Sequence, residues 1–533
     1  MERLDVTIEE LEALLESVRE PLGEAGYRKL KAAIRTLGYV TELLENRTAT
    51  LERLRQLLCQ CSTEKTATVL KQAGIEAGEK SRKPPGEQAQ NSRAAGHGRN
   101  GAAAYQGARK VAVPHASLKA GDRCPECQRG KVYSQRDPGL LVRIKGQPPI
   151  AATVYELEKL RCNLCGEVFT AEAPEGVGEK KYDETAASMI ALLRYGSGFP
   201  WYRLEGREES LGIPLPVATQ CEIVAETAAA MQPALEELIR QAAQGEVVHN
   251  DDTSMRVLSL DRDADIAPER TGVFTSGMVW IYQEHRIALF FTGCKHAGEN
   301  LAGVLKQRPA GLPPPIQMCD ALSRNVPKLP EPLQTLLANC IAHGRRNFVK
   351  VTPNFPQECR FVLETLGEVY GYDAVAREQG MSPEERLHFH QEHSSPVMEK
   401  LLAWLHAQLD ERKVEPNSGL GQAISYLLKH WKKLTLFLRE PGAPLDNNIV
   451  ERALKKAILH RKNSLFYKTR NGAQMGDLFM SLIHTCELNA VNPFDHLTEL
   501  QRHAEELKQK PSEWMPWNYR ETLARAGALL DAA

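Results

Sequence analysis

Three carboxylates stand where secondary-structure elements begin or end. Glu246-Val-Val-His-Asn-Asp251 reads as a short strand closing on an acid, and Pro315-Ile-Gln-Met-Cys-Asp320 repeats the pattern. In Pro444-Leu-Asp-Asn-Asn-Ile-Val-Glu451, Asp446 can cap a helix whose first turns carry Glu451. Cleaving a phosphodiester needs an attacking oxygen activated and a leaving oxygen stabilised. Two Mg²⁺ (or Mn²⁺) ions about 3.5–4 Å apart do both, and such hard cations prefer carboxylate oxygen. Two acids from neighbouring strands and a third from a later helix can converge on one ion pair. Each acid alone reads most simply as a solvated side chain or a helix cap, and it is their order and placement that set them apart. Asp252 stands beside Asp251, so a one-residue change of strand register would exchange which of the two faces the ions.

A second chemistry is carried by sulfur. Four of the twelve cysteines form two CxxC pairs, Cys124/Cys127 and Cys162/Cys165, with 34 residues between them. Each pair makes a tight knuckle that presents two thiolates, and two knuckles close a tetrahedral structural Zn²⁺ site. A redox function needs only one such pair, so a zinc ribbon is expected. The apolar stretches Leu140-Leu-Val-Arg-Ile144 and Thr153-Val-Tyr-Glu-Leu157 would supply its strands. His388-Phe-His390-Gln-Glu-His393 has ligand-like spacing but reads more simply as a solvated helical face. No GxxxxGK[ST] loop is present, so ATP is not implied.

Charge adds a partner. The net charge of −1 favours none, but the cations are unevenly placed. Residues 80–123 hold nine Lys/Arg against two acids, and residues 451–470 hold seven against one. Locally basic segments in a neutral chain fit a phosphate backbone. Arg345, Arg346, Arg452, Arg461 and Lys462 are the candidate DNA contacts.

The elements that must position these groups form a multidomain α/β chain; 533 residues exceed one ordinary core. Residues 1–73 read as helix, with Leu30, Leu37, Leu44, Leu51 and Leu58 every seventh residue and Tyr27, Ile34, Thr41, Thr48 and Arg55 completing the alternation. Such a seam buries its leucines against another copy, so a coiled-coil homo-oligomer is expected. Residues 74–121 form a basic, Gly- and Ala-rich linker. The zinc ribbon covers 122–175. Residues 176–244 are helical and compatible with a helix-turn-helix, with a helix from about Ala218 to Ala243 in which Pro233 can kink the axis. From 245 the period changes: three strands, a helix and further strand–helix units, with acids at two strand ends, suggest a ribonuclease H-like sheet over 245–352 and 441–495. Residues 353–440 between its two parts read as mostly helical, and a helical tail follows over 496–533.

On these residues the chain resembles the transposases of the insertion sequence 66 family. The most specific part is Asp446-Asn-Asn-Ile-Val-Glu451-Arg452, followed by Arg461-Lys-Asn-Ser-Leu-Phe466 and Ser481-Leu-Ile. Asp251-Asp-Thr is similar to the family's Asp-Glu-Thr, and His343-Gly-Arg-Arg-Asn-Phe348 matches as well. The resemblance implies Asp251, Asp320 and Glu451 as the catalytic acids of a DDE transposase, a helical insertion between Asp320 and Glu451, and small accessory proteins encoded beside it. Asp320-Ala-Leu-Ser-Arg-Asn325 lacks the tyrosines that commonly follow this Asp in the family.

Two other functions use the same residues. A ribonuclease H-like nuclease would cut without joining, and a zinc-containing DNA-binding regulator would bind with a decayed catalytic domain. No run of 18 apolar residues and no secretory start are present, so a cytoplasmic protein without a membrane span is expected.

Overall fold

The structure, a computed structural model, describes residues 111–134, 149–161, 163, 168–178, 180–262, 272–330 and 334–531, with isolated positions between 15 and 70. Two compact units are distinguished: residues 1–79 with 352–360, and the remainder. In the first, Lys31 Nζ donates to the Tyr27 hydroxyl at 3.0 Å, and that hydroxyl bonds Glu16. Of the heptad leucines only Leu30 is described; Leu37, Leu44, Leu51 and Leu58 lie outside the described residues, as do Cys162 and Cys165.

The second unit opens with the first cysteine knuckle. The Cys124 N–H donates to the Gly130 carbonyl at 2.8 Å, and the Gly130 N–H reaches Cys127 Sγ at 3.5 Å. That bond, with others around the thiol, holds Cys127 below its usual acidity constant. Strands β1 (Lys159–Arg161) and β2 (Val168–Thr170) pair antiparallel and straddle the second CxxC. The strand expected over Thr153–Leu157 is not one. Val154, Tyr155 and Leu157 are exposed, so no burial rewards a ladder there, and pairing falls on the residues flanking Cys162 and Cys165 instead.

Three helices follow. Asp183 caps α1 (Glu184–Ala191), its side chain accepting from the Ala186 N–H. A π-turn at Leu192–Gly196 closes it, and Gly198, at φ +72°, turns the chain into α2 (Trp201–Ser210). Helix α3 (Val217–Ala242) runs through Pro233. Val224, Ala228, Met231, Ala234 and Leu238 line its buried side and pack against the sheet. Its outer side carries Glu222, Glu226 and Glu236, which suit a phosphate groove poorly.

The sheet has five strands: β3 (Val247–Met255), β4 (Val273–Tyr282), β5 (His285–Gly293), β6 (Ile316–Cys319) and β7 (Leu336–Asn339). Their order is β5-β4-β3-β6-β7. The first three form an antiparallel meander, whereas β6 lies parallel to β3 and β7 parallel to β6. Short helix α4 (Leu258–Arg262) follows β3, and α5 (Ala297–Leu305) links β5 to β6. After β7 come α6 (Ile341–Val351), α7 (Pro356–Glu378), α8 (Pro383–Asp410) and α9 (Gly419–Leu434). Helix α9 lies so close to α6 that a Cβ on Gly344 would sit 2.6 Å from Leu427. In α8, His390 is buried rather than solvated, bonded to Ser394 at 2.9 Å and facing Asp373 at 3.4 Å.

Helix α10 (Asn448–Ser464) then crosses β3 and β4, and α11 (Arg470–Leu488) runs along the edge strand β5. That edge is sealed by side chains. Asp477 accepts from the Thr292 N–H at 2.6 Å, Ser481 from Phe290 at 3.0 Å, Thr485 from Ala288 at 3.0 Å and Asn489 from Arg286 at 3.1 Å. Four residues along a helix advance about 6 Å and two along a strand about 6.7 Å, so the two series keep step. Burial pushes the Asp477 carboxyl up to about 7. Helices α12 (Pro493–Arg502), α13 (Ala504–Gln509) and α14 (Tyr519–Asp531) follow, and Trp280 and Trp514 are both buried in the core they help cover.

Candidate active site

Strand register decides which acid of the Asp251–Asp252 pair faces which way. The last residue pair of the parallel β3–β6 ladder, His249 with Met318, lies two residues short of Asp251 and Asp320, so the register sets these two side by side on neighbouring strands. Across the other ladder Asp251 opposes Gly277, where a Cβ would come 2.8 Å from Leu454 and 3.5 Å from Val450. The Asp251 face therefore lies under α10, the helix that carries Glu451. Asp252 opposes Ser276, whose hydroxyl accepts from Asn300 of α5, and so points to the opposite face.

The two acids share one donor. Asn325 Nδ2 donates to Asp320 Oδ1 at 2.6 Å and to Asp251 Oδ1 at 3.2 Å. Asn325 is itself held through its backbone carbonyl, which accepts from Asn250 and Gln317 at 2.8 Å each. Burial first, and then the Asp320 charge, push the Asp251 carboxyl up to about 6, against the lowering effect of the Asp252 N–H and of Asn325. Two half-desolvated carboxylates that repel each other and offer only oxygen suit a hard divalent cation.

Glu451 is on the same face but its carboxylate is engaged with a cation. Arg346 grips it twice, at 3.2 and 2.8 Å, and His343 Nε2 lies 3.8 Å away. Cys340, His343 and Glu451 offer ligand atoms within 4.8 Å of one another. The sulfur is a poor ligand here: burial raises the Cys340 thiol to about 11, and its Sγ already accepts the Asn447 N–H at 3.2 Å. The structure thus joins Asp251 to Asp320 and leaves Glu451 paired with Arg346.

What brings α10 to the acids is Asn447, a fully buried residue at its start. Its Nδ2 donates to the Asn250 carbonyl at 3.1 Å, and its Oδ1 meets His249 Nδ1 at 3.2 Å. Burial lowers His249 to about 4, so the ring is neutral and can donate. Asp446 accepts from the Asn448 N–H at 3.1 Å in a turn just ahead of the helix; the N-cap position itself falls on Asn447, not on Asp446 as the sequence suggests.

Asp252, buried on the far face, binds His296 Nδ1 at 2.8 Å and Arg324 at 3.1 Å. Among the candidate phosphate contacts, Arg452 and Lys462 are exposed and Arg345 is half-buried. Arg461 is tied to the end of β3, donating to Thr253 Oγ1 at 3.1 Å and to Ser254 Oγ at 2.7 Å. Sequence reasoning missed Asn325, Asn447, His296 and Arg324. Asn325 and Asn447 each lie within six residues of a singled-out acid, and that proximity was the available signal.

The protein is thus of the mixed α/β class, with a five-strand sheet that sets Asp251 beside Asp320 beneath the later helix bearing Glu451. The family model described as Transposase IS66 family matches residues 180–475, and the chain belongs to that family. It is similar to three proteins of Sinorhizobium fredii (strain NBRC 101917 / NGR234). Uncharacterized protein y4hP is 25% identical over 396 residues, 69% of this chain and 68% of that protein. Uncharacterized protein y4jD is 35% identical over 190 residues, 34% of this chain and 36% of that protein. Uncharacterized protein y4qI is 26% identical over 356 residues, 63% of this chain and 62% of that protein. The chain thus spans less than two thirds of the length of the latter two. No solved structure matches it. Among the described residues no helix is long and apolar enough to cross a membrane.

Proposed function

We propose that this protein is a DDE-type DNA transposase that binds the ends of its own insertion sequence, hydrolyses a strand there and joins the freed 3′-hydroxyl to target DNA. The observation that carries the reading is the pairing of Asp251 with Asp320 through Asn325, on the face beneath the helix of Glu451. The strand order, with three antiparallel strands and then two parallel ones, supports a ribonuclease H-like catalytic domain.

In this reading Asp251, Asp320 and Glu451 hold two Mg²⁺ or Mn²⁺ ions, which when bound supply the activation of attacking oxygen and the stabilisation of leaving oxygen. Asn325 fixes the rotamers of the two strand acids. Arg452 and Lys462 bind phosphates, and Arg346 keeps the Glu451 carboxylate oriented. The four cysteines hold structural zinc, an assignment that elemental analysis returning no zinc from chelator-free protein would remove. DNA is the partner, together with a second copy through the N-terminal heptads and the element's accessory proteins.

A strand-transfer assay with pre-cut element ends and a labelled target duplex tests the whole. Joined product is expected. Hydrolysis without joining would reduce the protein to a nuclease, and end binding with neither would reduce it to a regulator.

The acidity of Asp251 gives a second test. A carboxyl raised to about 6 contributes stability that is fully present below its unfolded value and is lost as pH rises through about 6. A divalent cation needs the ionised form and must displace that proton at lower pH. The stabilisation of the protein by Mg²⁺, read as a thermal shift, is therefore expected to grow from about pH 5 to about pH 7. Equal shifts at both pH values would exclude Asp251 as a ligand.

A further inference from the structure

Helix α10 ends in a turn that neither packing nor backbone preference accounts for. Leu465 adopts φ +69° and ψ −44°, and the Phe466 N–H donates to the Ser464 carbonyl at 2.8 Å. This is the strained form of the three-residue turn, and a leucine has no local reason to adopt it. Its side chain is not rewarded by burial either, for Leu465 is 66% exposed and Phe466 37%. Backbone strain that persists is over-determined by its surroundings and concentrates at functional positions.

The surroundings here are rigid. On one side Arg461 is tied to Thr253 and Ser254. On the other, buried Tyr467 pairs with β3's continuation, its N–H donating to Arg256 and its carbonyl accepting from Leu258, both at 2.9 Å. The Tyr467 ring stacks on His460 at 4.2 Å, and a Cβ on Gly476 would come 2.3 Å from its hydroxyl, so the ring has no room to move. Two clamps thus hold the turn against the end of the strand that bears Asp251. Arg256 lies five residue steps beyond Asp251, just past the end of β3, about 16 Å of extended chain. Residues 452–470 contain seven Lys/Arg and no acid, and Lys462, Lys468 and Arg470 beside the turn are exposed.

Two rigidly presented apolar side chains ringed by cations fit a nucleic-acid duplex better than an apolar protein face. Cations meet phosphates, while apolar wedges enter between stacked bases. We propose that Leu465 and Phe466 form a wedge that enters the DNA duplex roughly five base steps from the cleaved phosphodiester and unstacks it, with Lys462, Lys468 and Arg470 on the flanking phosphates. The proposal rests on the transposase reading above. It adds a DNA-distorting element distinct from the acids.

The test uses the full chain and a duplex carrying the element's own terminal sequence. 2-Aminopurine is placed at successive positions, and Ca²⁺ replaces Mg²⁺. Wild-type protein is expected to raise the fluorescence at one or two adjacent positions. Leu465→Gly and Leu465→Asn suit a positive φ, so they should melt at or above the wild-type temperature. Both, and Phe466→Ala, should lose most of the fluorescence rise, with cleavage in Mg²⁺ falling on the order of tenfold. Leu312→Ala, on an exposed loop before β6, should change neither. Binding without unstacking at any position, or unstacking retained in the three variants, overturns the wedge and leaves the transposase reading standing. Failure of the wild type to bind the terminal duplex overturns both. Variants that lose self-association while still unstacking DNA would assign the turn to a second copy instead.

Discussion

Asp251→Asn, Asp320→Asn and Glu451→Gln are each expected to abolish cleavage and joining together while binding to element ends persists. Ligation by two divalent ions supplies several kcal/mol of transition-state stabilisation, so loss of one ligand should cost about a thousandfold or more. The substitutions are nearly isosteric, and Asn325 remains to hold the partner acid. End binding should survive because Lys and Arg contacts to phosphates supply much of it, and removing a carboxylate removes repulsion of the DNA. Asp252→Asn is the internal control. Its carboxylate serves His296 and Arg324 on the opposite face, so the loss should be milder. Glu451→Gln also weakens the grip of Arg346, but that pair is partly exposed and its loss should cost little stability. Rates of strand cleavage and transfer, measured beside a gel-shift with the same duplex, decide the matter. Full strand transfer by the Glu451→Gln protein refutes the triad. A dead Asp252 variant beside a live Asp251 variant moves the first acid by one residue.

Asn447→Ala should be the most damaging single change to both stability and activity outside the acids. Its amide satisfies the Asn250 carbonyl and the His249 ring, all three residues being buried. Truncation leaves two buried polar groups unpaired at about 1–3 kcal/mol each. It also releases the start of α10 from the strand that bears Asp251, so the position of Glu451 relative to the strand acids is lost. Asn448→Ala, which removes only a bond to Asp446, is the comparison. Denaturant unfolding followed by far-ultraviolet circular dichroism reports the loss of the fold these contacts brace. If Asn447→Ala unfolds with the wild type, the amide is not what joins helix to sheet.

The strands were legible because their signals are local, although β3 runs on to Met255 and so carries Asp251 at its middle rather than at its end, because the ladder with β4 continues past the acid. Apolar runs such as Pro315–Asp320 and the change of period after Gly245 mark the sheet directly. The facing of Asp251 against Asp252 was not legible. It depends on the pairing with Gly277 and Ser276, residues that say nothing until the ladder is formed. Asn325 and Asn447 were missed for the same reason: an amide gains its meaning from the carboxylate or carbonyl it meets, and Asn447 meets Asn250 from 197 positions away. The strand expected at Thr153–Leu157 failed because an apolar run without a burying partner carries no energetic preference for a ladder.

The seal on β5 has a consequence for how the chain is made. The N–H groups of Ala288, Phe290 and Thr292 are completed by side chains that lie 185 to 197 positions later in the sequence. At synthesis rates of about 5–20 residues per second, the meander waits roughly 10–40 seconds with that flank bare. An unpaired strand flank is a template for any other extended chain. The newly made sheet is therefore adhesive until α11 leaves the ribosome, and a chain ended before Asp477 stays so. Completion of the C-terminal half is what turns this protein from a species that chaperones must shield into one that can be left alone.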